Sequence, residues 1–506
     1  MPNTQGISLY SAPQVADMDR HAQHQGIDGF ELMQQAGEAA FVALLNQWSS
    51  VSKLVIYAGA GNNGGDGYVI AKLAKDHEID AEVIALKAPS ELQGSAYKAA
   101  QLAKSAGVMI SMYSRQCVQF QAGCIIVDAL LGTGLERDVE GAYRDAIDDI
   151  NNSGIPVLSV DVPSGINGST GAIMGTAVKA ELTVTMIAYK RGLFTAKGAI
   201  YSGQVRLAPL SVPKNLGPHV AQQDYRVSLS SWRACASLKW FEKRELDSHK
   251  GDFGHVLVVG GDIGFAGAAI LAAGSALRSG AGLVSVATRR EHVNAVLSHY
   301  PEAMVLGVDS GQELGMLLSQ ADSVVVGPGL GQSAWGQSLL QACFATRQPI
   351  VLDADALNLI AQGFIQHNLN QRTSVMTPHP GEAARLLGCT VKDVQADRFK
   401  AAHELSIRYH STTVLKGNGS LVCEGEQISV CADGNPGMAS GGMGDVLSGI
   451  SGSFLAQASH DLPEASQQLM TSAVCLHSAA ADEAAKTGEN ALLASDLIKQ
   501  LGNLLP

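Results

Sequence analysis

The chain has 506 residues, a formal net charge of −12, 46% hydrophobic and 16% charged residues, and only 5% aromatics. One hydrophobic core seldom grows past about 250–300 residues, so at least two domains are expected, globular in composition rather than disordered or coiled-coil. The acidic balance excludes a general nucleic-acid or anionic-membrane binder, which needs a basic surface, and 55 glycines without a G-X-Y period point to backbone turns of positive φ or close approach.

The N-terminal stretch MPNTQGISLYSAPQVADMDR has neither the basic nor the apolar region of a secretory signal. No window approaches about 18 uninterrupted apolar residues, so no membrane span and a cytoplasmic location are expected. Ser11 caps a first helix with Pro13 in its opening turn, ending near Gly26. A second helix runs from Gly29 to Trp48, with Phe30, Met33, Ala40, Leu44 and Trp48 compatible with one buried face. Short apolar runs at 54–57, 81–84, 125–127, 157–160 and 182–185 then alternate with helix-length segments, the pattern of a parallel sheet covered on both faces.

Between the strand KLVIYA and the helix YVIAKLAKD lies Gly59-Ala60-Gly61-Asn62-Asn63-Gly64-Gly65-Asp66-Gly67. Five glycines at a strand-to-helix turn expose N–H groups that favour a phosphate, while the Asn pair and Asp66 add side-chain acceptors. Two further polar loops follow strands, Asp128–Leu135 and Asp161–Gly165. Strand ends of a parallel sheet converge on one crevice, so these three loops should meet. Asn63, Asp128 and Ser164 offer hard oxygen ligands for a monovalent or alkaline-earth cation.

From about Leu210 to Lys250 the pattern fades, and SVPKNLGPHVAQQD reads as a linker; domains 1–222 and 223–506 follow. Alternation restarts with apolar runs at 256–259, 283–286, 324–326, 350–352 and 413–415, and the last ~70 residues look mainly helical. Val326-Gly327-Pro328-Gly329-Leu330-Gly331 is a ligand-loop candidate, Asp353 and Asp355 stand at a strand end, and His379 is fixed between two prolines. Lys416-Gly417-Asn418-Gly419-Ser420 can serve a nucleotide phosphate or ribose. In Asn435–Asp445, glycines at a helix start form an anion hole and an Asp follows at once, the pairing that phosphoryl transfer needs to stabilise the moving group and accept a hydroxyl proton. The eight cysteines (Cys117, Cys124, Cys235, Cys343, Cys389, Cys423, Cys431 and Cys475) are scattered without a CxxC pair. They read as reduced, mostly structural thiols, with no Cys/His cluster for zinc.

Gly442-Met443-Gly444-Asp445 resembles the anion hole and base of the ribokinase-like superfamily. More closely, HKGDFG, GPGLG, LDADALN, TPHPGE, KGNGS and NPGMASGGMGD resemble the ADP-dependent NAD(P)H-hydrate dehydratases, and ELMQQAG, AGAGNNGGDGYV, VDALLGTGL and DVPSGING the NAD(P)H-hydrate epimerase domain. The order fits the bifunctional NAD(P)H-hydrate repair enzymes. The fold this implies is two α/β domains, each a largely parallel sheet covered by helices, Rossmann-like first and ribokinase-like second.

The resemblance implies that R and S hydrates are epimerised at C6 by the first domain. The second dehydrates the S form, converting ADP to AMP and phosphate. It places Asn62, Asn63, Gly64, Gly65, Asp66, Gly132, Thr133, Gly134, Leu135, Glu136, Arg137, Asp138, Tyr143 and Asp161 around the epimerase substrate, with Asp161 moving the proton and potassium on Asn63, Asp128 and Ser164. In the dehydratase, Ala268, Gly329, His379 and Asp445 would contact the hydrate, with Asp445 as catalytic base. Lys416, Gly417, Asn418, Gly419, Ser420, Asn435, Gly441, Gly442, Met443 and Gly444 would hold ADP, accompanied by Mg²⁺. The expected partners are NAD(P)H hydrates and ADP, not nucleic acid or membrane, in a homo-oligomer of four or more chains. A ribokinase-like small-molecule kinase fused to a non-catalytic ligand-binding domain is the rival reading; it predicts ATP consumption and a phosphorylated product that persists.

Overall fold

The computed structural model describes residues 6–115, 123–213, 224–236, 243–363, 365–458 and 466–505. The chain divides into two compact units, Ser8–Arg226 and Val227–Pro506, the second also taking in the N-terminal residues to Ile7. The boundary expected at 222–223, most of the linker, and Cys117 lie outside the described residues.

Strand β1 (Ile7–Leu9) belongs to the larger sheet. The first unit is built on β2 (Lys53–Ala58), β3 (Asp80–Ala85), β4 (Met109–Met112), β5 (Cys124–Ala129), β6 (Val157–Val160), β7 (Leu182–Met186) and β8 (Gln204–Ala208). They pair in parallel in the order β4-β3-β2-β5-β6-β7-β8. The order reverses between β2 and β5, the position where an open α/β sheet leaves a crevice at its strand ends. Side chains alternate across β2: Leu54, Ile56 and Ala58 join the core under helices 29–47, 62–76 and 94–105, while Val55 and Tyr57 join the core under helix 141–152. The helices expected from Ser11 and Gly29 are observed at Ala12–His24 and Gly29–Gln47. Phe30 and Trp48 are only half-buried, at the margin of the stripe.

The second unit carries β9 (Arg226–Ser230), β10 (His255–Val259), β11 (Leu283–Thr288), β12 (Met304–Gly307), β13 (Ser323–Val326), β14 (Ile350–Leu352), β15 (Ser374–Met376), β16 (Thr412–Leu415), β17 (Leu421–Glu424) and β18 (Gln427–Cys431). The sheet runs β1-β9-β18-β17-β16-β15-β14-β13-β10-β11-β12, parallel from β16 to β12, with β17 and β18 antiparallel. Here the order reverses between β10 and β13. Helices 443–458 and 466–485 are buried on almost every side, and with helices 266–278 and 494–504 they form the core against Val256, Val258 and Val325. Glycines set their approach: a Cβ on Gly449 would lie 2.1 Å from the Ala272 carbonyl oxygen, and one on Gly452 2.3 Å from Val325.

The glycine-rich segment after β2 differs from expectation. The helix begins at Asn62, six residues before Tyr68, so most of the segment is helix rather than loop. None of its glycines has positive φ; what they supply is space. A Cβ would lie 1.8 Å from the Leu130 carbonyl oxygen at Gly59, 2.1 Å from the Gly59 carbonyl oxygen at Gly64, and 2.5 Å from Met33 at Gly65. Asp128 also lies inside β5, not in the loop beyond it. No described helix is long and apolar enough to cross a membrane.

Candidate active sites

In the first unit the loops after β2, β5, β6 and β7 open onto a cavity of about 1180 Å³. Asn62, Asn63, Asp66, Gly132, Thr133, Gly134, Leu135, Glu136, Arg137, Tyr143 and Asp161 line it. Gly64, Gly65 and Asp138 are not part of the wall: the two glycines face the Gly59 carbonyl and Met33, and Asp138 packs beside Gly175. Tyr143 is fixed by the Ala60 N–H, which donates to its hydroxyl at 3.3 Å.

Asp161 has φ +66°, a left-handed conformation that costs a non-glycine residue energy and recurs at functional sites. Its Oδ1 accepts from the Met186 N–H at 3.0 Å and from the ammonium of Lys190. That lysine is only 1% exposed, and its Nζ also donates to the Met186 carbonyl at 2.6 Å. A buried lysine persists only when paired, so Lys190 and Asp161 hold each other in place. Asp66 lines the same cavity. Burial, then the charges of Asp161 and Asp19, push its carboxyl well above the usual range, with Lys190 partly opposing.

Asp128 is fully buried below this cavity. Its Oδ2 accepts from the Ser164 N–H and the Ser159 hydroxyl, each at 2.8 Å, and its Oδ1 accepts from the Ser164 hydroxyl at 2.5 Å. Asn63 is buried as well, and neither atom of its amide has a hydrogen-bond partner. Asn63 packs against Gly132, next to Leu131, whose N–H donates to the Ser164 hydroxyl at 2.8 Å, so an unmet amide oxygen beside the loop that carries these oxygens fits a hard monovalent cation.

In the second unit the loops after β10 and β13 close on each other: Gly261 N–H donates to the Pro328 carbonyl at 3.0 Å and Asp262 N–H to the Gly329 carbonyl at 2.6 Å. Gly329 has φ +58°, and a Cβ there would lie 3.1 Å from that of Ala268, so these two expected contact residues adjoin.

A polar network stands at the ends of β14 to β16. Asp353, 1% exposed, accepts from Lys416 Nζ, the Thr377 hydroxyl and the Ser448 hydroxyl, each at 2.8 Å. Burial alone would raise its carboxyl, but the Lys416 charge and these donors outweigh it and hold it low. Lys416 Nζ also stands 3.8 Å from Glu382, whose carboxyl burial pushes up to about 7. His379 Nδ1 accepts from the Gly381 N–H at 2.9 Å, and its Nε2 lies 3.3 Å from Glu382. Burial, then the Lys416 and Arg385 charges, hold His379 below its ordinary value, so it faces the site as a neutral imidazole with its proton on Nε2.

Helix 443–458 brings Gly444 onto this network, its Cβ position 3.3 Å from Lys416 Nζ and 3.5 Å from Asp353. The next residue is Asp445, whose carboxyl burial and then the Asp353 charge push up to about 7. Gly442 has φ +89° and allows the sharp entry into the helix. Behind it His477, fully buried and pushed down to about 4, is hydrogen-bonded to the Met443 backbone. The Lys416–Ser420 loop is held from below by Arg398, whose guanidinium donates to the carbonyls of Leu415, Lys416 and Gly419 at 3.1, 3.3 and 3.5 Å. Asn435 spends its amide within the protein, accepting from Gly437 N–H of its own loop and donating to Asp482 of helix 466–485.

Sequence reasoning did not single out Lys190, Thr377, Glu382, Arg398, Ser448 or His477. TPHPGE contained Glu382 without marking its role, and Lys190 left only the signal of a lone lysine closing an apolar run.

Two family models match the chain: one described as NAD(P)H-hydrate dehydratase over residues 256–503, and one described as YjeF-related protein N-terminus over residues 29–192. A bifunctional NAD(P)H-hydrate repair enzyme of Coxiella burnetii is 45% identical over 97% of this chain and 98% of its own length. One of Escherichia coli is 41% identical over 95% of this chain and 90% of its own length. A solved ADP/ATP-dependent NAD(P)H-hydrate dehydratase of Bacillus subtilis, co-crystallized with ATP and Mg²⁺, is 27% identical, covers 54% of this chain and 96% of its own, and has a TM-score of 0.47.

Proposed function

The chain belongs to the bifunctional NAD(P)H-hydrate repair enzymes, and from that premise we propose how its two sites divide the work. The protein repairs hydrated NADH and NADPH. The first unit epimerises the R and S hydrates at C6, and the second dehydrates the S form with ADP converted to AMP and phosphate. The observation that carries the assignment of residues is that each site holds a carboxylate paired with a lysine: Asp161 with Lys190, and Asp353 with Lys416 beside Asp445.

In the second unit Asp445 takes the proton of the C6 hydroxyl as that oxygen attacks the β-phosphorus of ADP, and AMP leaves. The phosphate ester then eliminates, pushed by the ring nitrogen; C5 gives up a proton to the departing phosphate, and the nicotinamide C5–C6 double bond is restored. Phosphate leaves readily where hydroxide does not. The N–H groups of Gly441–Gly444 and the Lys416 ammonium stabilise the transferred group. His379, Ala268 and Gly329 seat the hydrate, and Lys416–Ser420 with the Asn435 loop hold ADP.

In the first unit Asp161, fixed by Lys190, moves the proton while the ring nitrogen assists reversible loss of the C6 oxygen or ring opening. Asp66, whose neutral form burial favours, offers a second carboxyl in the same cavity. Asn63, Asp128 and Ser164 would hold potassium, which supplies fixed positive charge beneath the substrate; the unmet Asn63 amide supports this. Mg²⁺ with the diphosphate, a homo-oligomer of four or more chains and a cytoplasmic location complete the proposal on the strength of the family likeness. The test is incubation of purified protein with mixed R and S NADH hydrate and ADP or ATP, following AMP and NADH. Both epimers should yield NADH with AMP release under ADP; no NADH from either overturns the reading, and a lasting phosphorylated product favours the kinase.

A further inference from the structure

Three cysteines that are distant in sequence meet inside the second unit. Cys235 ends the short helix Trp232–Cys235, Cys431 ends β18, and Cys475 lies within helix Ser466–Ala485. All three are buried, and the Cys475 thiol is hydrogen-bonded to both Cys235 and Cys431. Asp433 joins them: its carboxylate and the sulfurs of Cys431 and Cys475 lie within 4.8 Å of one another. The scatter of cysteines along the chain therefore conceals a cluster in space.

Buried thiols alone are ordinary core residues. A carboxylate drawn in among them is not, because it is half-buried, which pushes its carboxyl up, and among the described residues no ion pair offsets this. It is nonetheless held in a set orientation. Its Oδ2 accepts from the Trp232 N–H at 2.5 Å, and the Cys431 thiol donates to the Asp433 carbonyl at 3.6 Å. Two sulfurs and one carboxylate oxygen are three of the four donors of a tetrahedral zinc site, whose metal–sulfur bonds of about 2.3 Å place sulfurs roughly 3.8 Å apart. The spacing of Cys431, Cys475 and Asp433 needs a contraction of at most about 1 Å to reach that geometry.

We propose that Cys431, Cys475 and Asp433 bind one zinc-type ion, with water or the neighbouring Cys235 thiol in the fourth position. Its place is structural. Ala432 N–H donates to the Ser230 carbonyl at 2.8 Å, and Gly434 N–H donates to Asp482 at 2.9 Å. The ion ties β18 and helix 466–485 together at the root of the Asn435 loop. Because both sulfurs are buried, loading accompanies folding.

Cobalt reports such a site directly. Protein expressed in cobalt-supplemented medium and purified under reducing conditions should hold about one cobalt per chain, with thiolate-to-cobalt charge-transfer bands in the near ultraviolet. In competition with a chelator, Cys475→Ser and Asp433→Asn should each weaken cobalt and zinc retention about tenfold or more. Asp433→Asn preserves the side-chain shape and the acceptor for Trp232, so it reads the site even if Cys475→Ser fails to fold. Cys389→Ser, at an exposed cysteine, should leave retention unchanged. No charge-transfer band in protein with native circular dichroism, or bands that persist unchanged in Asp433→Asn, overturns the site.

Discussion

Both units order their parallel strands alike, with the first strand at the centre and the reversal beside it. In each, the glycine directly after that strand lies against the loop after the fourth: Gly59 on the Leu130 carbonyl and Gly260 on the Pro328 carbonyl. The resulting crevices are used differently. In the first unit the helix begins almost at once, the loops stand apart around a large cavity, and the acid Asp161 comes from a neighbouring strand end. In the second the corresponding loops close on each other, and the acid Asp445 comes on a helix that the core presses onto the sheet. Glycines follow suit. Those at 59–67 provide room and have negative φ, whereas Gly329, Gly417 and Gly442 provide positive φ. Strand order decides where a crevice opens; the packing around it decides which group reaches the substrate.

The sharpest way to break this separation is to silence one acid at a time. Asp445→Asn should lower AMP and NADH formation by about 10²–10⁴-fold while R-to-S exchange, followed by NMR, continues. Asp161→Asn should do the reverse, abolishing exchange by a comparable factor and sparing dehydration of the S form. Loss of both activities in either variant would mean that the two crevices are not independent. Lys190→Met leaves the Asp161 carboxylate without its buried partner and should cost about 3–5 kcal/mol in chemical denaturation. The next effect is a pH dependence. Asp445, raised to about 7, accepts a proton only when ionised, so dehydratase kcat/KM should fall about tenfold per unit as pH drops below that value. The smallest effect is Asn435→Ala, which removes two hydrogen bonds from the nucleotide loop and should raise the ADP KM by a few-fold at about 1 kcal/mol.

Most of the first-half strands were legible because they are continuous apolar runs. Among the strands the sequence concealed, β4 and β12 are largely exposed edge strands and β15 has three residues, so their apolar signal is weak, whereas β17 and β18 are buried and interior and were passed over between two glycine-rich motifs. The helix start at Asn62 was hidden because five glycines read as a turn, while tertiary packing made three of them, Gly64, Gly65 and Gly67, necessary inside a helix. Asp161, Asp445 and the glycine segments were visible as strand-end or helix-start chemistry. Lys190, Glu382 and Arg398 were not, since what singles them out is burial beside a partner far along the chain, and no local pattern encodes that.

Arg398 has a consequence for the thermodynamics of nucleotide capture. Its guanidinium fastens three carbonyls of the segment around Lys416–Ser420 from the protein side. The conformational entropy of that segment is therefore given up when the domain folds, not when ADP arrives. Nucleotide association should accordingly proceed as docking onto a rigid cradle, with amide hydrogen exchange in this segment slow before ADP is added and little changed afterwards.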